Sequence, residues 1–109
     1  MTARGISHIK DLLSRGETTV VEHVRSVLTA IREQDAVGAY VAVAGDEALR
    51  AAERADARIR ERGREAWWDQ PLLGVTVSVK DLLQTRDLPT TRGSLLPNDR
   101  PREDAPAVA

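Results

Sequence analysis

The first third of the chain repeats apolar residues with a period near 3.6, which is typical of amphipathic α-helices. Residues 6–16 place their apolar side chains in one sector, and Gly16 is a natural left-handed stop. Thr19 followed by Glu22 matches a capping box, and it precedes one continuous apolar stripe over residues 20–31. The pattern therefore predicts two helices, of which the second is the more strongly marked.

A third helix is predicted to begin near Asp46, as its N-cap, and to end at Gly63. Its inner face is mostly alanine, so it approaches its neighbour closely but gains little from burial. Its outer face carries arginines at i, i+4 spacing. Between residues 46 and 65, however, six arginines meet six carboxylates, and Asp56 with Arg60 has the favourable i, i+4 orientation. This pattern favours a solvated, charge-balanced face over a nucleic-acid surface.

In two segments, the residues facing opposite sides alternate with a period of two, which predicts β-strands. The first is the short segment 39–43. In the second, residues 74–80, three valines alternate with Thr76, Ser78 and Lys80, and Asp81 follows directly. From residue types alone, Lys80 is most simply a strand-end lysine that reaches solvent or guards a sheet edge.

Composition narrows the possible functions. The 109 residues contain no Phe and no Cys, and sixteen basic against seventeen acidic residues leave a net charge of −1. We therefore expect neither a nucleic-acid nor a membrane partner. Length and composition instead predict a single, soluble cytoplasmic domain. His8 and His23 lie at the borders of apolar stripes without a ligand cluster, so no metal site is predicted. At least one of Trp67 and Trp68 is expected to pack over the third helix.

The second half of the chain contains a series of short motifs in a characteristic order. They are Pro71-Leu72-Leu73-Gly74, Lys80-Asp81, Leu88-Pro89-Thr90-Thr91, Gly93-Ser94 and Asp104-Ala105. Together they closely resemble the amidase signature family around the strand that bears its catalytic lysine, and the preceding segments resemble its N-terminal part. Asp87 departs from the family's usual glycine and tolerates a positive φ less well, so a local loop difference is expected.

This resemblance implies hydrolysis of a small-molecule amide by a Ser–cis-Ser–Lys triad, without metal or organic cofactor. Lys80 would be the ultimate base, which requires a neutral amine, and burial favours that form. The resemblance does not identify substrate-binding residues. The family's two serines belong to a Gly/Ser-rich signature downstream of the lysine, which this sequence does not contain. Ser78 lies on the face of Lys80, about 6.6 Å away by strand rise, but no oxyanion site accompanies such a dyad.

The ending around Asp104-Ala105-Pro106 indicates a helix that opens and is cut after about one turn. We therefore expect residues 1–109 to be the N-terminal part of a single amidase domain, inactive alone, with its missing C-terminal portion as a candidate partner. Residues 1–70 would be helical with one short strand, and residues 71–109 would hold the lysine-bearing strand, a loop and the cut helix.

The predicted fold class is α/β: N-terminal helices plus the first strands of the family's mixed, helix-covered sheet. Two alternatives remain open at this point. One is a segment of a tRNA-dependent amidotransferase A subunit, although Lys80-Asp81-Leu82-Leu83 looks more like stand-alone amidases. The other is a non-catalytic helical module that folds only with a partner.

Overall fold

The computed structural model describes residues 5–34, 36, 38–40, 42–81, 83, 85–86, 88–91 and 103–108. Helices dominate this part of the chain. They are α1 (Ile6–Ser14), α2 (Val20–Glu33), α3 (Gly45–Arg62) and the single turn α4 (Ala66–Asp69), with a 3₁₀ turn at Gly63–Glu65 between the last two. No helix of the described residues is long and apolar enough to cross a membrane.

The predicted ends of the first two helices are confirmed. Gly16 follows α1 with a φ of +71°, and the Thr19 side chain accepts a hydrogen bond from the Glu22 N–H at the start of α2, at 3.1 Å. The other half of the capping box is different. The Glu22 carboxylate accepts a hydrogen bond from the Thr18 hydroxyl at 3.2 Å. Its partner is thus the residue before the N-cap rather than the backbone N–H of the N-cap itself.

The predicted N-cap of α3 is wrong. Ala44 is the N-cap, without a side-chain hydrogen bond, and Asp46 lies in the first turn. A carboxylate there still interacts favourably with the positive end of the helix dipole. The C-terminal end is as predicted, because Gly63 ends α3 with a φ of +60°.

The core lies where α2 packs on α3, and it is closed from one side by α1 and α4. Its buried apolar residues are Leu13, Val20, Val24, Ala52, Ala55, Ala66 and Trp67. Asp56 of α3 is also buried, and its carboxylate accepts from the N–H groups of Val20 at 2.7 Å and Val21 at 3.1 Å. The expected Asp56–Arg60 surface pair is thus replaced by a contact that joins α3 to the N-terminus of α2.

Trp67 packs in the core as predicted, whereas Trp68 is 75% exposed. The Trp67 indole N–H donates to the Leu73 carbonyl at 2.9 Å, which holds the segment after α4 against the core. Asp69 ties the same region to α3, since its carboxylate accepts from Arg58 at 2.7 Å. This hydrogen bond lowers the pKa of the Asp69 carboxyl.

The predicted strands are not present among the described residues. Both segments, 39–43 and 74–80, lack a ladder there, and Val41 lies outside the described residues. A strand needs a partner for its backbone N–H and C=O groups. The two segments instead meet through side chains, with the Tyr40 and Ser78 hydroxyls 2.8 Å apart. The described part is helical, and the α/β prediction is confirmed only for its helices.

Candidate functional site

Lys80 lies where the valine-rich segment ends and the chain turns. Its carbonyl accepts from the Leu83 N–H at 3.0 Å, which closes a tight turn directly after the lysine. Its side chain is exposed, and no hydrogen bond or ion pair joins its ammonium to another described residue. In this chain the Lys80 side chain is therefore open to solvent, whereas its backbone is held by the turn.

The residue after the lysine closes a loop. One Asp81 carboxylate oxygen accepts from the Thr91 N–H at 2.8 Å, and the other accepts from the Thr91 hydroxyl. The ends of segment 81–91 therefore meet across ten positions, as in an Ω-loop, and this segment is here called the lysine loop. Inside it, the Leu83 carbonyl accepts from the hydroxyls of Thr85 at 3.4 Å and the buried Thr90 at 3.5 Å.

A turn leads into the Leu88-Pro89-Thr90-Thr91 motif. The Leu88 N–H donates to the Thr85 carbonyl at 3.1 Å, and these two residues form an isolated antiparallel bridge. The motif residues Gly93 and Ser94 and the atypical Asp87 lie outside the described residues.

The described residues 103–108 contain no helix, and a helix that opens at Asp104 in a longer chain stays a prediction. The Asp104 carboxylate accepts from the Arg86 N–H at 2.8 Å and thereby supports the lysine loop. The residues after it make one turn, closed by the Val108 N–H on the Ala105 carbonyl at 2.8 Å. A single turn fixes several dihedrals for one hydrogen bond, which is too little to nucleate a helix.

The alternative dyad of Ser78 and Lys80 gains no support from the geometry. The Ser78 hydroxyl pairs with Tyr40, 38 positions earlier in the chain, rather than with the lysine amine. Ser14, in turn, donates to the Asp11 carbonyl at 2.9 Å within α1. Both hydroxyls are thus engaged in structural hydrogen bonds, and neither is hydrogen-bonded to Lys80 in the described part of the chain.

A largely apolar cavity of about 900 Å³ lies beside the valine-rich segment. Its walls are the apolar faces of α2 and α3, together with residues 42–44 and 70–79. Thr76 and Ser78 supply hydroxyls to the lining, whereas Lys80 is not part of it. The cavity is suited to apolar side chains, and the proposed base lies at its margin.

Away from Lys80, the described titratable groups offer no candidate metal site. Among the described residues, no three His, Cys, Asp or Glu side chains are grouped so that they could hold a metal ion. His23 is partly buried on α2, and this burial lowers the pKa of its imidazole. Its position at the edge of the apolar stripe agrees with the prediction from the helical pattern.

Sequence reasoning missed two contacts of this region, Asp81 with Thr91 and Tyr40 with Ser78. Asp81 and Thr91 both belong to the matched motifs, so each was marked, but their pairing depends on the path of the loop between them. Tyr40 carried a weaker signal. It is the only tyrosine of the sequence. Like Ser78, it lies in a segment whose side chains were predicted to point alternately to two faces.

Comparison with known proteins places these features in a family context. The family model described as Amidase matches residues 22–109. The A subunit of the glutamyl-tRNA(Gln) amidotransferase of Geobacter sulfurreducens is 42% identical over 106 residues, which cover 95% of this chain and 21% of that protein. An amidase of Pseudomonas putida is 37% identical over 95 residues, covering 86% of this chain and 19% of that protein.

The A subunit of a chloroplastic/mitochondrial glutamyl-tRNA(Gln) amidotransferase of Oryza sativa subsp. indica is 39% identical over 105 residues, with 94% of this chain and 19% of that protein covered. The chain thus spans about one fifth of the length of these curated relatives. No solved structure matches it significantly.

Proposed function

This chain belongs to the amidase family, and on that premise we propose that it supplies the lysine-bearing N-terminal segment of an enzyme that hydrolyses a carboxamide. The observation that carries the proposal is the family match over residues 22–109, which includes Lys80-Asp81 and the loop that follows. The placement of Lys80 at the end of an apolar segment, beside a loop closed by its neighbour, supports the same role.

In the proposed reaction Lys80 is the ultimate base. A serine oxygen bonds to the amide carbon while its proton passes through a second serine hydroxyl to the lysine Nζ. The same proton then returns to the departing nitrogen as the C–N bond breaks, and water hydrolyses the acyl ester. The lysine must be neutral to accept a proton, so we expect Lys80 to be buried in the complete domain although it is exposed in this chain.

We expect the 109-residue chain alone to be inactive. It contains no Gly/Ser-rich signature, and a base without an activated nucleophile offers no covalent route. Purified chain assayed against simple aliphatic and aryl amides should show no turnover. Turnover that persists through purification and disappears in Ser78→Ala would contradict this expectation and favour the local dyad.

A second candidate function is that of the A subunit in a glutamyl-tRNA(Gln) amidotransferase. The 42% identity to the Geobacter sulfurreducens protein favours it, whereas Leu82-Leu83 after Lys80-Asp81 looks more like stand-alone amidases. Replacing the matched segment of each relative by this chain separates the two. The larger recovery of activity, in the Pseudomonas putida amidase or in the Geobacter sulfurreducens protein, identifies the closer function.

The role of Lys80 is tested in whichever of these chimeric enzymes is active. Lys80→Ala, Lys80→Met and Lys80→Arg should each lower kcat by about 10²–10⁴-fold, because general-base assistance is typically of that size. Arginine should fail with the others, since a guanidinium keeps its proton. Thermal stability, measured beside kcat, should stay near that of the unsubstituted chimera.

The sequence offers a matched control, because Lys10 is its only other lysine. Lys10→Ala, on α1, should retain activity. Should neither full replacement fold, residues 71–91 alone can be grafted into the Pseudomonas putida amidase, and the same variants compared there. Near-normal turnover of Lys80→Arg would show that the site uses charge rather than basicity, and the assignment of Lys80 as the base would then be wrong.

A further inference from the structure

We propose that Asp81 is a positioning residue, which directs Lys80 into the active site by clasping Thr91 and so closing the lysine loop. The inference rests on the proposed function, because it needs Lys80 to be the base. It adds a role for the aspartate that follows the lysine and names its partner.

The contact between Asp81 and Thr91, here called the clasp, consists of two hydrogen bonds. Both Asp81 oxygens act as acceptors, and both the N–H and the hydroxyl of Thr91 act as donors. Hydrogen bonds to an ionised acceptor are stronger than neutral ones. Both residues are partly buried, so water competes less for these groups than it would on an open surface.

The clasp acts on Lys80 through the backbone. Asp81 is the next residue in the chain, and the Lys80 carbonyl is itself held by the Leu83 N–H at 3.0 Å. The lysine side chain has several rotatable bonds, whereas a base works only within hydrogen-bond reach of its partner. A fixed starting point for that side chain reduces the number of orientations it samples, and misplacement by about 1 Å can cost about 10²-fold in rate.

Other hydrogen bonds hold the middle of the lysine loop independently of the clasp. The effect of losing the clasp on the ends of the loop can therefore be measured by itself. Leu83 accepts from two threonine hydroxyls, and Asp104 holds the Arg86 N–H at 2.8 Å. Loss of the Asp81–Thr91 contact should therefore loosen the ends of the loop without unfolding its middle. A residue that served stability alone would not need to lie beside the lysine.

The first measurement is made on the 109-residue chain. Amide hydrogen exchange at Thr91 should accelerate about tenfold in Asp81→Ala, as expected for loss of one hydrogen bond of typical strength. Asp81→Asn should keep most of the protection, because an amide oxygen accepts from the N–H and the amide NH₂ can donate to the hydroxyl. Thr85→Val, which removes a hydroxyl from the same loop, is the matched control and should leave Thr91 exchange unchanged.

The second measurement is made in the active chimeric enzyme. Asp81→Ala should lower kcat at least tenfold while KM changes less than about threefold, because the lysine serves the chemical step. Asp81→Asn and Thr91→Ser should restore most of kcat, Thr91→Val should be intermediate, and Thr85→Val should match the unsubstituted enzyme.

The outcomes separate the two proposals. If Lys80→Ala keeps full activity, the proposed function itself fails. If Lys80→Ala is inactive while Asp81→Ala keeps its kcat, only the clasp is wrong. A loss of kcat in Asp81→Ala that Asp81→Asn does not restore would show that the negative charge matters rather than the loop closure, and it would also overturn the inference. Should Asp81→Ala fail to fold, Thr91→Val and Thr91→Ser give the same comparison.

Discussion

At the scale of single residues, Asp56 has a different role in the structure from the one its sequence pattern predicts. In the sequence it belongs to an acidic and basic surface pattern on α3. In the structure it is 9% exposed, and its carboxylate receives two N–H groups from the first turn of α2. These are N–H groups that a helix cannot satisfy by itself, and the negative charge also lies at the favourable end of the helix dipole.

Asp56→Ala should destabilise the chain by about 1–3 kcal/mol, because it leaves buried N–H groups without acceptors. Asp56→Asn should cost less, since one oxygen still accepts. Denaturant unfolding followed by circular dichroism measures both. Asp46→Ala is the matched control, because it removes a carboxylate from the first turn of the same helix and should cost less than about 1 kcal/mol. An equal loss in both variants would show that charge, not capping, is responsible.

His23 gives a pH dependence whose sign follows from its environment. Burial lowers the pKa of its imidazole in the folded chain, so the unfolded chain binds the proton more readily. Stability should therefore fall as the pH drops through the unfolded value of about 6.5. Thermal unfolding between pH 8 and 5 should show this slope, and His23→Gln should reduce it. His8→Gln, at an exposed site on α1, should keep the slope; its loss there would contradict the assignment.

At the scale of elements, the helices were predictable and the strands were not. A helix satisfies its backbone hydrogen bonds within its own segment, so the apolar period, Thr19 and Gly63 sufficed to place the start of α2 and the end of α3. A strand depends on a neighbour that local sequence does not name, and residues 39–43 and 74–80 form no ladder among the described residues. The Asp81–Thr91 clasp was out of reach for a related reason, because it depends on how the intervening loop closes.

At Gly74, the segment after α4 comes into close contact with α1 and α2. Gly74 has a φ of +82°, and a Cβ there would lie 3.0 Å from Leu13 Cδ1 and 3.1 Å from Val20 Cγ2. Gly74→Ala should therefore cost both backbone strain and crowding, together about 2–4 kcal/mol. Gly16→Ala is the matched control, since Gly16 has a φ of +71° with open space around it and should cost about 1–2 kcal/mol. Equal losses in denaturant unfolding would argue that the close packing is unimportant.

At the scale of the whole molecule, apolar surface is left uncovered beside the proposed catalytic segment. Val77 is 74% and Leu72 is 59% exposed, and both line the cavity between the helices and the valine-rich segment. The core itself is thin, because much of its α3 face is alanine. If this chain is the N-terminal segment of a longer enzyme, as proposed above, this apolar face is where the rest of that enzyme would pack.

The isolated chain should consequently bind a hydrophobic dye such as ANS and unfold over a broad temperature range, with helical circular dichroism retained before the transition. Val77→Thr keeps the β-branched shape but adds a hydroxyl to the exposed face, so it should lower dye fluorescence with little change in stability. Val24→Thr, which places the same hydroxyl in the buried core, should instead lower stability by about 1–3 kcal/mol. A sharp cooperative transition in a monomer that binds no dye would show that the face needs no cover, and the expectation of a larger domain around it would then be wrong.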